Sequence, residues 1–148
     1  MAIKILVVIR VLIGCLFVVS GFEKLIGPYQ NFLYVVQSYE FCPTFVEGVV
    51  ARVLPWIELF LGVFLITGLW LKWTLRSVLV LFAMFICIVG QALLRGLPID
   101  ECGCFGSLIS LPLAGVLVFD ITMFFLTGLL MTKDKYVNSF SLDQYHSR

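Results

Sequence analysis

An all-α membrane protein, a polytopic bundle of four transmembrane helices with a short interfacial helix between helices one and two, is predicted by three observations. Hydrophobic residues make up 61% of the chain and charged residues 13%, too little polar surface to solvate a soluble domain. Four apolar runs each approach the roughly 20 residues that cross about 30 Å of hydrocarbon. No alternating pattern of barrel type is present, and helices satisfy every backbone amide within their own segment. Residues 1–132 read as one membrane domain and 133–148 as a short polar cytoplasmic tail. The net charge of +1 gives no support for nucleic-acid binding.

Helix one is predicted over Ile3 to Phe22. Leu12-Ile13-Gly14-Cys15 matches a lipoprotein cleavage box, but Arg10 interrupts the apolar region and Leu16-Phe17-Val18-Val19 continues it, so Cys15 reads as a packed thiol. Gly27-Pro28 makes a turn. Tyr29 to Tyr39 then reads as an amphipathic helix along the interface, with Phe32, Val35, Val36 and Tyr39 at helical spacing and its tyrosines suited to the headgroup region. Helix two is predicted over Val46 to Leu71, with Pro55-Trp56 a candidate kink just above Glu58. Helix three follows over Trp73 to Leu94 and helix four over Leu111 to Thr132. Cys87, in helix three, is read as a small apolar filler.

Charge sets the orientation. Lys4, Lys72, Arg76, Lys133, Lys135 and Arg148 lie at the amino terminus, the second connection and the tail, whereas Glu23, Glu40, Glu47, Asp100 and Glu101 fall in the first and third connections. Basic residues mark the cytoplasmic side, so both termini are expected there. Lys24, Arg52 and Arg95 count against this, at the edges of the outer connections. Cys42, Cys102 and Cys104 would then face outward, where a disulfide persists.

Ionisable residues inside a span are expensive and informative. Arg10, Glu58 and Asp120 stand out, on the order of 20, 18 and 12 Å below the outer surface at about 1.5 Å per residue. One buried ion cluster joining helices one, two and four is therefore expected. It reads either as an interhelical clamp or as a polar pocket that relays a proton or holds a quinone headgroup. Gln91 and Arg95 would line the upper part of such a pocket, and Trp56 would be packing or a wall for a flat ring.

The candidate catalytic groups are the thiols. Cys102-Gly103-Cys104 sets two cysteines one glycine apart, and a disulfide across so small a ring is strained and easily reduced. Gly103 permits the backbone angles that ring needs. With Cys42 the pair could instead supply three soft ligands to copper(I) or zinc. A third reading is a static staple in a scaffold or assembly factor. Redox titration separates the two disulfide readings, since structural bridges are reduced only at potentials below about −300 mV.

Arg10, Ser20-Gly21 with Lys24, Leu54-Pro55-Trp56-Ile57-Glu58-Leu59 with Gly62 and Gly68, Arg95-Gly96 before Cys102-Gly103-Cys104-Phe105-Gly106, and Asp120 together resemble the methylamine-utilisation MauE family, part of the broader DoxX-like group. The resemblance implies a bacterial inner-membrane protein working with a periplasmic thioredoxin-like partner in maturing disulfide-containing client proteins. In the type family the client is a methylamine dehydrogenase subunit. Related DoxX-like proteins are tied to quinone-linked sulfur oxidation, and the layout is similar to vitamin K epoxide reductase. Cys42 departs from the family pattern, where an aliphatic residue is usual, and makes this a three-thiol variant. The expectation is a membrane thiol-disulfide oxidoreductase that uses Cys102, Cys104 and Cys42, with quinone as electron partner near Arg10, Trp56, Glu58, Gln91 and Asp120 and no resident metal.

Overall fold

The computed structural model describes residues 2–41, 43–97 and 112–133. Five helices follow one another: α1 (Ala2–Ile26), α2 (Tyr29–Ser38), α3 (Thr44–Thr67), α4 (Leu71–Arg95) and α5 (Leu113–Thr132). All but α2 are long and apolar enough to cross a membrane. The chain is thus a multi-pass membrane protein.

Helix ends follow local chemistry. Pro28, Pro43 and Pro112 sit immediately before α2, α3 and α5, where a missing N–H leaves no bond unmade. Gly68 closes α3 in the left-handed region at φ 72°, and the amides of Gly68 and Leu69 both return to the carbonyl of Phe64. That glycine ends the helix four residues before the Leu71 expected from hydropathy. At the other end of the bundle the difference runs the opposite way. α1 continues a full turn past Phe22 to Ile26, so Glu23 and Lys24 belong to a helix and not to a connection.

The bundle divides into two leaves, α1 packing most extensively on α3 and α4 on α5. Small residues explain the first. A Cβ on Gly21 would lie 2.7 Å from the Pro55 carbonyl oxygen and 2.8 Å from the Leu59 nitrogen, and one on Gly62 would lie 2.7 Å from the Val18 nitrogen. The two backbones are therefore in direct contact, the arrangement by which membrane helices associate where lipid removes the hydrophobic drive. Between the leaves lies a core that includes Ile13, Phe17, Leu65, Leu75, Val78 and Phe82. Phe17 meets Phe82 edge to face at 5.3 Å.

The outward surface of α1 carries Ile5, Val8, Leu12, Val19 and Phe22, all about half exposed, which is the face a lipid-solvated helix presents. Cys15 on α1 and Cys87 on α4 are both exposed free thiols, so the expectation that they fill the packed interior is corrected. Helix α2 lies across one end of the bundle. The Tyr29 hydroxyl donates to the Gly48 carbonyl 3.1 Å away on α3, and the Arg52 guanidinium stands over the Tyr29 ring at 5.2 Å. At the far end of α2, Tyr39 packs with Val89, Ala92, Leu113 and Val116 of the other leaf.

Candidate functional site

Beneath α2 the two leaves enclose the polar centre of the molecule. Ser20 and Lys24 stand one helical turn apart on the same face of α1, opposite Glu58 of α3. Lys24 Nζ donates to Glu58 Oε2 at 2.7 Å, to Glu58 Oε1 at 2.9 Å and to Ser20 Oγ at 2.9 Å. Ser20 Oγ donates in turn to Glu58 Oε2 at 3.2 Å. Each of the three ammonium donors thus has an acceptor, and the Phe32 ring of α2 covers the cation at 5.1 Å. Both ionic side chains are 3% exposed, so the attraction is not screened by solvent.

Asp120 of α5 shares a small hollow with Ser20 and Glu58, of about 40 Å³ and otherwise walled by apolar side chains including Phe17, Phe82 and Phe85. Asp120 Oδ2 has no hydrogen-bond partner among the described residues. A hollow of that size beside three polar side chains has room for a few water molecules and not for a ring. A second cavity, of about 290 Å³, lies on the other side of Lys24, under α2, and includes Tyr39 and Glu47 in its lining. Burial, and secondly the charge of Asp120, push the Tyr39 hydroxyl up to about 12 from its usual 10.0. Tyr39 therefore stays a neutral hydrogen-bonding group at physiological pH.

The family model described as methylamine utilisation protein MauE matches residues 2–133. The chain belongs to the MauE family. No curated protein and no solved structure matches it.

The centre of this MauE-family chain differs from the expected one in composition. Glu58 and Asp120 do meet at one hollow, as their depths suggested. Arg10 does not join them. It is buried at 2% exposure but lies about 15 Å along α1 from Ser20, at about 1.5 Å per residue. The shift arises because α1 runs a turn further than hydropathy suggested, which carries Arg10 deeper and brings Lys24 into the bundle. Lys24 is the residue that sequence reasoning missed. The available signal was its i, i+4 spacing from Ser20, masked by the charge of the neighbouring Glu23.

Trp56 is half exposed and stacks on Phe60 at 6.2 Å. Two residues of helix place it about 200° around α3 from Glu58, so the two cannot wall one internal pocket. Gln91 is half-buried on α4, three residues from Ile88, which lines the larger cavity. Cys42, Cys102 and Cys104 lie outside the described residues, as does the tail beyond Lys133. Their described flanks do converge: Tyr39, three residues before Cys42, shares a cluster with Leu97 and Leu113, which bracket the Cys102 and Cys104 segment.

Proposed function

We propose that this MauE-family protein is an inner-membrane thiol-disulfide oxidoreductase. Cys102 and Cys104 exchange a disulfide with a periplasmic thioredoxin-like partner, and Cys42 offers an alternative bridge that passes the oxidising equivalents along. The partner in turn serves the maturation of disulfide-containing client proteins. The observation that carries this reading is the convergence of Tyr39, Leu97 and Leu113, which tethers the three cysteines' flanks to one end of the bundle.

Thiol exchange alone moves a disulfide between molecules, so turnover needs an electron partner. A membrane quinone meets that need: oxidation of two thiols to a disulfide releases two electrons and two protons, which convert one quinone to its hydroquinone. The water-sized hollow beside Glu58 and Asp120 suits a proton path to or from such a partner. The topology has both termini cytoplasmic and the cysteine segments outside. Lys24, which counted against that orientation, is neutralised within the bundle by Glu58 and so favours neither side.

Thiol trapping in intact cells, followed by peptide mapping, tests the assignment. Cys102→Ser and Cys104→Ser should each abolish normal mixed-disulfide cycling with the partner, and Cys42→Ser should alter which bridge accumulates. Unchanged trapping in both CGC variants would refute the exchange role. A second reading has its own support. The Lys24, Ser20 and Glu58 network is a complete interhelical clamp, as a non-catalytic assembly scaffold requires. On that reading the CGC bridge is static and resists every physiological reductant.

A further inference from the structure

Helices α3 and α4 make few contacts with one another, and two hollows meet where they part. The cavity under α2, of about 290 Å³, is walled almost wholly by apolar side chains, among them Phe32, Phe41 and Phe85, with Lys24, Tyr39 and Glu47 as its polar members. An open groove of about 540 Å³ runs along the cleft between α3 and α4, from Val49 toward Trp73 and Arg76. Val50, Leu54 and Met84 line both. The cavity therefore adjoins the lipid-facing groove along these three side chains, and the groove extends about 18 Å at about 1.5 Å per residue from Val49 to Leu61.

Glu47 supplies the chemical demand. It is 6% exposed and lines the cavity, the one carboxylate in a described wall that is otherwise almost wholly apolar. Lys24, the cation that shares the cavity, already donates to Glu58 and Ser20 through all three of its hydrogens. A carboxylate in the wall of an apolar chamber favours a guest that brings a hydrogen-bond donor to it. The cavity is larger than the 150 Å³ or so that accommodates benzene, and its phenylalanines offer faces to a ring.

We propose that the cavity beneath α2 binds a long-tailed, lipid-soluble molecule headed by a hydroxyl-bearing ring, with the hydroxyl donating to Glu47 and the tail lying in the groove between α3 and α4. The inference rests on the proposed function only for the reason such a molecule is recruited, since a hydroquinone of the membrane pool has this chemistry. A redox-silent alkyl phenol shares it. Binding itself follows from the shape of the cavity and from a carboxylate set in its apolar wall.

The test uses the full chain in lipid nanodiscs with all five cysteines, Cys15, Cys42, Cys87, Cys102 and Cys104, replaced by serine, so that no thiol chemistry contributes. Calorimetric titration is run with a decyl-tailed benzohydroquinone, para-decylphenol and tailless hydroquinone. The decyl probes should bind, and Glu47→Leu should weaken them by roughly tenfold or more, the loss expected for a hydrogen bond to a charged acceptor. Val53→Trp, which fills the groove at a lipid-facing position, should weaken the decyl probes while leaving tailless hydroquinone unchanged. A hydroquinone preference of tenfold or more over the phenol assigns the site to the redox pool, and equal binding assigns it to a redox-silent lipid. Failure of both decyl probes to bind, or equal binding by Glu47→Leu and the parent, overturns the proposal. Such failure would leave the thiol-trapping result standing, because trapping reads the partner and not this cavity.

Discussion

At the scale of single residues, the most consequential finding is that a buried lysine and a buried glutamate are each other's solvent. Removing one partner leaves a charge stranded in a low-dielectric interior, which costs about 3–5 kcal/mol, whereas removing both leaves an apolar site that packs nearly as well. Lys24→Met and Glu58→Leu should therefore each lower thermal stability in detergent substantially, and the double variant should regain most of the loss. An additive double variant would mean that the two charges are not coupled. Glu58 was legible in the sequence because a carboxylate in an apolar run is conspicuous. Its partner was not, since Lys24 sits next to Glu23 at a hydropathic edge, where charges are ordinarily solvated. The three cysteines were equally conspicuous in the sequence, whereas the convergence of their flanks at Tyr39, Leu97 and Leu113 is a property of the folded bundle.

Among the helices, hydropathy read all four spans and the amphipathic α2 correctly, because length and apolar content suffice to define a membrane helix. It misplaced two ends by about a turn, since helix termination depends on a left-handed glycine at Gly68 and helix continuation on the burial of Lys24, neither of which hydropathy registers. The α1 and α3 contact makes a sharp comparison possible. Gly21→Ala or Gly62→Ala would force a methyl group against backbone atoms that cannot turn aside, and should destabilise by about 1–3 kcal/mol in thermal melts. Gly90→Ala and Gly128→Ala meet nothing within 4 Å and should be neutral or mildly stabilising through helix propensity. Because Gly21 lies between Ser20 and Lys24 in register with Pro55 and Leu59, the first substitution should also loosen the ion pair.

For the whole molecule, the proposed orientation makes opposite predictions for the two ends of the bundle. In a cysteine-free background, Tyr34→Cys on the exposed face of α2 should react with a membrane-impermeant maleimide in intact cells, and Lys72→Cys at the start of α4 should react only after permeabilisation. The reverse pattern would place the cysteine segments in the cytosol and remove the oxidising compartment that the proposed chemistry needs. The division into two leaves adds one more consequence. Ser20, Lys24 and Glu58 all belong to the α1 and α3 leaf, whereas Asp120 and most of the outer ceiling beside Tyr39 belong to the other. Any separation of the leaves would thus leave the ammonium and its carboxylate neutralising one another, so the only polar group parted from the centre would be the single aspartate of the second leaf.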